Sequence, residues 1–251
     1  MDNNIILEAK GLYKTYLKHG AAALDNVNIE IPLGRLVGLL GPNGSGKTTL
    51  IKIANGLLTP TTGELLIGGM KPSAETKKIV SYLPDRDILP GWMSVEKAVA
   101  YYADFFEDFR VDRAFEMIDQ LGVSRKSKIK TLSKGNREKV SLILAMSREA
   151  KLYLLDEPLA GVDPAARSYI LDTIVSNYSK EATVIISTHL IADVEGILDD
   201  VSNTYFLTSS WICSCVTSGS CCVDNTTASN LAGLPFSSYS TVTCDLPSGR
   251  R

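Results

Sequence analysis

At 251 residues the chain is long enough to bury a sizeable core, as one large domain or two small ones. A formal net charge of −2 argues against a protein that lives on nucleic acid through a broad basic face, so no nucleic-acid partner is expected. No apolar run approaches the ~20 residues that cross a bilayer, and the N-terminal MDNNIILEAK is acidic and polar where a signal peptide is basic and then apolar, so a cytosolic location is expected.

In chain order, IILEAKGLYKTY and ALDNVNIEIPLG alternate imperfectly around a loop containing Gly20, which predicts an antiparallel β hairpin packed beside the core. RLVGLLG at 35–41, LYLLDEP at 152–158 and TVIIST at 183–188 are too short and too apolar for amphipathic helices and predict buried central strands. Between the first and second of these, SVEKAVAYYADFFEDF at 94–109 and VDRAFEMIDQLG at 111–122 carry apolar residues at helical spacing, which predicts a helical subdomain over about 86–150. TLSKGNREK at 131–139 reads as a helix start, with Ser133 placed to cap the free amides that follow. Strands alternating with helices predict an α/β fold with a mostly parallel sheet, and no internal repeat is visible.

The strongest chemical signal is GPNGSGKTTL, which fits G-x-x-x-x-G-K-[ST] with Gly41, Gly46, Lys47 and Thr48 in register. The loop formed by Gly41, Pro42, Asn43, Gly44, Ser45 and Gly46 turns its amides inward on a phosphate. The following helix adds its positive end, Lys47 a full charge, and Thr48 and Thr49 their hydroxyls. Thr48 is expected to ligate Mg²⁺. Such a site needs acids on a neighbouring strand, and LYLLDEP ends in Asp156 and Glu157: Asp156 suits Mg²⁺, and Glu157 suits a general base for the attacking water. His189 follows VIIST in the same way and is placed to donate to a γ-phosphate and orient Glu157. The expected cofactors are ATP and Mg²⁺.

These motifs, in this order, resemble the nucleotide-binding subunit of an ATP-binding cassette (ABC) transporter, over residues 5 to about 201. The resemblance implies a P-loop NTPase core with an N-terminal antiparallel β subdomain and an inserted α-helical subdomain. LSKGN resembles the family's signature LSGGQ, which implies that Ser133, Lys134, Gly135 and Asn136 face the nucleotide of a second subunit packed head to tail. Asp163 in AGVD resembles the D-loop aspartate, and Tyr16 in KTY sits where the family stacks an aromatic on adenine. Asp85 in SYLPDRD occupies the position of the family's Q-loop glutamine; it is an acid where an amide is usual. In ILPGWM, Ile88, Leu89, Trp92 and Met93 fall where the family forms its groove for a membrane partner, internal packing being the other reading of each side chain.

What the resemblance implies is an ATPase that dimerises on ATP, as homodimer or heterodimer, and drives a separate integral membrane permease from the inner face of the cell membrane. LSKG together with YLPDRDILPGWMSVEKA is similar to bacterial ABC-2-like ATPases, which implies export. The rival reading is a soluble ABC ATPase that moves no substrate and serves regulation, cluster assembly or translation.

The ABC domain is expected to end near residue 201. From Ser202 the text turns abruptly to Ser, Thr and Cys, and all five cysteines lie at or beyond Cys213. The family continues here with a short strand pair and a charged helix, and the sequence suggests neither. A disulfide module does not suit a cytosolic ATPase, and CSC and CC lack the C-x₂-C spacing of zinc sites. A reading-frame shift near codon 202 fits the composition break best, and it predicts a tail, 202–251, that packs poorly.

Overall fold

The computed structural model describes residues 4–17, 21–177, 179, 181–190, 193–194, 204–208 and 211–214. Gly20 and most of the 202–251 tail therefore lie outside the described residues. Strands β1 (Ile5–Lys14) and β2 (Leu24–Pro32) pair antiparallel with Ala9 opposite Ile29, as the hairpin reading requires. Strand β3 (Leu36–Leu40) leads into helix α1 (Lys47–Ala54). Strand β4 (Thr62–Ile67) then returns to the other edge of β1, completing a three-stranded sheet in the order β2-β1-β4. Helix α2 (Ala74–Ile79) and strand β5 (Val80–Leu83) follow, and β4, α2 and β5 are three elements that sequence periodicity did not single out.

The second sheet has six strands in the order β5-β6-β7-β3-β8-β9, where β6 is Leu152–Asp156, β7 Thr183–Thr188, β8 Thr204–Thr208 and β9 Trp211–Ser214. Its strands run parallel except β9, which pairs antiparallel with β8. A strand pair thus stands after residue 201, where the composition break suggested none, and β8 extends the sheet beside β3. Tyr and Phe in TYFLT and Trp and Ile in WICS carry ordinary strand propensity despite the change in the surrounding text.

The central strands are buried on both faces, and their side chains sort by alternation. Leu152 and Leu154 join the core between the two sheets with Val37, Leu39, Ile185 and the α1 residues Leu50, Ile51 and Ile53. Tyr153 and Leu155 point the other way, with Leu36, Leu40, Val184 and Ile186, against Leu142, Ala145 and Met146 of helix α5 (Lys134–Met146) and Ile170 and Ile174 of helix α6 (Pro164–Asn177). Each such side chain contributes about 1.5–3 kcal/mol on burial. Continuous apolar runs therefore encode these strands, since neither face can be polar.

A third core lies in the helical subdomain, where α3 (Val95–Phe105) and α4 (Val111–Gln120) pack Val95, Val99, Ala114 and Ile118 against Val140, Ile143 and Leu144 of α5. Helix α5 serves two cores at once, so it ties the subdomain to the sheet. Helix α3 ends at Phe105, four residues short of the 94–109 expectation. The cause is Arg148, which is 3% exposed and takes both oxygens of Asp108 at 3.0 and 3.1 Å while donating to the carbonyls of Lys77, Lys78 and Val80. Its guanidinium also lies 3.9 Å from the Phe106 ring centroid. Drawing Asp108 into this network pulls the chain out of helical geometry at Phe106. Among the described residues no helix is long and apolar enough to cross a membrane.

Candidate functional site

The loop between β3 and α1 curls through left-handed conformations at Gly44 (φ 85°) and Gly46 (φ 95°), which only glycine adopts without strain. Gly46 also packs tightly: a Cβ there would stand 2.3 Å from the carbonyl oxygen of Ala23 at the start of β2. This contact seats the loop on the antiparallel sheet, and Ala23 becomes part of the cleft wall. The cleft has a volume of about 330 Å³ and gathers Tyr16, Ala23, Asn43, Gly44, Ser45, Gly46, Lys47, Thr48, Thr49, Asp85 and Glu157. Residues flanking strands of both sheets, the loop, the start of α1 and the segment after β5 thus meet at one place.

Lys47 is 4% exposed, and its Nζ donates to the carbonyls of Gly41 at 2.8 Å and Pro42 at 3.1 Å while pairing with Glu157 Oε1 at 3.3 Å. The other oxygen of Glu157 accepts from His189 Nδ1 at 2.9 Å, which fixes that nitrogen as the protonated one and leaves Nε2 for a ligand. Glu157 holds φ 50°, a conformation that costs a non-glycine residue about 1–2 kcal/mol. The amide of Glu157 reaches both the carbonyl and the hydroxyl of Ser187 at 3.0 Å, and this pairing holds the strained residue in place.

Asp156, wholly buried at the end of β6, accepts on Oδ1 from Thr48 Oγ1 at 2.9 Å and from Ser187 Oγ at 2.7 Å. Its Oδ2 is buried with no hydrogen-bond partner, and so is the Ser45 hydroxyl in the loop. Unpaired buried polar atoms are costly; Ser45 lines the cleft, and Asp156 adjoins it through Thr48 and Glu157, which do, so a polar ligand there would complete them. Burial pushes the Asp156 carboxyl above its ordinary range; the nearby Asp85 adds to the rise, and the hydrogen bonds from Ser187 and Thr48 oppose it. The donor set of Thr48 Oγ1 and Asp156 Oδ2 fits Mg²⁺. Among the described residues no three His, Cys, Asp or Glu side chains cluster to hold a metal.

A raised carboxyl has a consequence for stability. The folded chain binds a proton at Asp156 more readily than the unfolded chain does. Its contribution is therefore greatest below the unfolded value and is lost as pH rises through the interval up to the folded value. The Asp156→Asn protein without nucleotide is expected to melt higher than wild type at neutral pH and to show a smaller fall between acid and neutral pH. Thermal unfolding followed by circular dichroism in EDTA measures both.

A family model described as ABC transporter matches residues 24–160, from the start of β2 to just past Glu157. The chain belongs to the ABC transporter family. It is 34% identical over 207 residues to YdbJ, an uncharacterized ABC transporter ATP-binding protein of Bacillus subtilis, covering 78% of this chain and 65% of YdbJ. It spans 58%, 65% and 61% of the lengths of three such curated relatives. The solved structure of an ATP-binding subunit of an ABC transporter superposes with a TM-score of 0.72 at 26% identity, over 82% of this chain and 88% of that one. A bacterial ABC transporter cassette solved as a dimer shares the fold, with a TM-score of 0.70 at 23% identity, over 82% of this chain and 96% of that one. ABC cassettes bind ATP or ADP.

In this ABC cassette the signature-like residues stand apart from the cleft. Ser133 caps α5, its Oγ accepting from the Asn136 amide at 3.2 Å, with Lys134 and Gly135 in the same turn. Asp163 lies just before α6, its carbonyl accepting from the Arg167 amide at 3.0 Å. Tyr16 is 60% exposed at the cleft edge, its hydroxyl hydrogen-bonded to Thr49 Oγ1 at 3.1 Å. In ILPGWM the structure separates the two readings: Leu89 and Met93 enter the helical core, whereas Ile88 and Trp92 are 50% and 68% exposed. Sequence reasoning missed Ser187, which holds both Asp156 and the Glu157 backbone; a hydroxyl closing the apolar run VII, beside Thr188, was its only signal.

Proposed function

We propose that the chain is the ATP-hydrolysing subunit of an ABC transporter, dimerising head to tail on ATP and driving a separate membrane permease, in the direction of export. The observation that carries the reading is the Glu157 carboxylate, held between Lys47 and His189 at the mouth of the phosphate loop. Incoming phosphate takes the place of the carbonyls and the carboxylate that hold Lys47 in this structure. Release of Lys47 frees Glu157 Oε1 to accept a proton from the attacking water, while His189 keeps the other oxygen oriented. Tyr16 stacks on adenine, and Ser45 and the loop amides complete the phosphate cradle. Thr48 and Asp156 would hold Mg²⁺, which would neutralise the developing phosphate charge.

Head-to-tail packing sets the first turn of α5, with Ser133, Lys134, Gly135 and Asn136, against the nucleotide of the second subunit, and Asp163 lies near that junction. The exposed Ile88 and Trp92 favour a docked permease over the soluble, non-transport reading. The membrane association is then peripheral, at the cytoplasmic face.

Subunit mixing tests the shared site. Ser133→Arg and Lys47→Ala homodimers are each expected to hydrolyse ATP poorly. Equal mixing restores about a quarter of wild-type activity, because half of the dimers are mixed and each mixed dimer keeps one complete site. Steady-state phosphate release measures it, and no recovery in dimers shown to be mixed would overturn the head-to-tail arrangement.

A further inference from the structure

Between α4 and α5 the chain reads SRKSKIKTLSK, with five basic residues and no acid from Ser124 to Lys134. The backbone fastens this segment alongside the start of α3. The amides of Val95 and Glu96 donate to the carbonyls of Ser127 and Arg125 at 3.0 and 2.9 Å, and those of Ile129 and Lys130 donate to the carbonyls of Met93 and Gly91 at 2.9 and 3.0 Å. Ile129 is wholly buried and seats the segment on the helical core, while Lys126, Lys128 and Lys130 are left exposed. The other two cations are engaged: Arg125 Nε donates to Asp119 at 3.1 Å, and Lys134 meets Glu138 at 3.7 Å. Lys126, Lys128 and Lys130 form no ion pair with any described residue. The exposed Glu96 on the facing segment is offset by Lys97 next to it. A row of three unpaired positive charges is thus pinned in place on a chain whose net charge is −2.

We propose that Lys126, Lys128 and Lys130 form a contact for anionic phospholipid headgroups. The inference deepens the peripheral membrane association proposed above, on which it rests, by naming the lipid chemistry that the chain itself meets. Gly91 and Met93, which hold Lys130 and Ile129, flank the exposed Trp92, so the row is continuous with the face offered to the permease. A permease docked there brings the row towards the leaflet around it. The residue types favour lipid over an acidic protein segment. A defined carboxylate is best met by the planar fork of an arginine, and the arginine of this segment is already committed to Asp119. Lysine ammonium groups on flexible, exposed stems suit the diffuse charge of a headgroup layer, and their mutual repulsion is relieved there.

Flotation of the full chain with vesicles, in the absence of nucleotide and permease, tests the contact. Vesicles of phosphatidylcholine alone are compared with vesicles that also contain phosphatidylglycerol. Binding is expected only to the anionic vesicles, weakening as added salt shortens the Debye length below ~10 Å. The triple variant Lys126→Gln, Lys128→Gln, Lys130→Gln is expected to lose about 100-fold in affinity, at about fivefold for each lysine, whereas arginine at the same three positions keeps it. Removal of three exposed lysines elsewhere, by Lys71→Gln, Lys77→Gln and Lys78→Gln, should change affinity by less than about fivefold. In a Trp211→Phe background the emission of Trp92, which borders the row, should move to shorter wavelength on vesicle binding. Equal affinity for both vesicle types, an equal loss in the two glutamine triple variants, or unchanged Trp92 emission on bound vesicles overturns the contact. Failure to bind vesicles also overturns it; if labelled polyglutamate then binds wild type and not the Lys126, Lys128, Lys130 variant, the partner is an acidic protein segment. Phosphate release measured without vesicles reports on ATP hydrolysis separately, so a failure of the ATPase reading leaves the lipid result standing.

Discussion

Glu157→Gln protein binds ATP at least as tightly as wild type and turns it over about 10²–10⁴-fold more slowly, the loss that follows removal of a general base. The asymmetry comes from the two contacts of the carboxylate. An amide oxygen still accepts from Lys47, so that side of the geometry survives, and the change removes a negative charge that competes with phosphate for Lys47. The amide nitrogen then faces His189 Nδ1, which must become the acceptor, so the ring exchanges its tautomer. Neither oxygen-for-nitrogen position can take a proton from water. Filter binding of labelled ATP and phosphate release separate affinity from turnover. Gel filtration with ATP should show a dimer that accumulates because hydrolysis no longer dissolves it. Near wild-type turnover in this variant removes Glu157 from the role of base.

How much of this was legible in sequence depended on whether the physical cause was local. The strands β3, β6 and β7 announce themselves because burial on both faces leaves no room for polar residues, and the phosphate loop does so because its glycines and Lys47 are adjacent. Strand β4 was missed because TGELLI begins with three exposed residues, so only its second half reads as a strand. Arg148 was missed because Asp108 and the carbonyls of Lys77, Lys78 and Val80 lie 40 to 71 residues away in sequence. The same holds for Ser187, whose meaning depends on partners delivered by the fold. Strands β8 and β9 were obscured for a different reason: the composition of the surrounding tail suggested text not selected for folding, while the nine strand positions retain β-forming residues such as Tyr205, Phe206, Trp211 and Ile212.

The two left-handed glycines of the phosphate loop should respond very differently to the smallest possible substitution. Alanine at Gly44 meets nothing within 4 Å, so its cost is the conformational one alone, about 1–2 kcal/mol at φ 85°. Alanine at Gly46 carries the same conformational cost at φ 95° and in addition puts Cβ 2.3 Å from the Ala23 carbonyl oxygen and 2.9 Å from Leu24 Cδ2. The leucine can rotate, but the carbonyl belongs to the start of β2 and cannot withdraw without disturbing the pairing of Leu24 with Lys14. The loop must move instead, and it carries Lys47 and Thr48 with it, so the hydrogen bond from Thr48 to Asp156 and the contacts of Lys47 are lost together. Gly46→Ala is therefore expected to weaken ATP binding by at least about 100-fold, equivalent to about 2.7 kcal/mol, and Gly44→Ala by about tenfold or less. Titration with a fluorescent ATP analogue gives both affinities, and thermal unfolding in the absence of nucleotide shows whether the remaining fold is intact. Equal affinities in the two variants would mean that the carbonyl of Ala23 does not hold the loop, and the seating of the phosphate cradle on the antiparallel sheet would have to be abandoned.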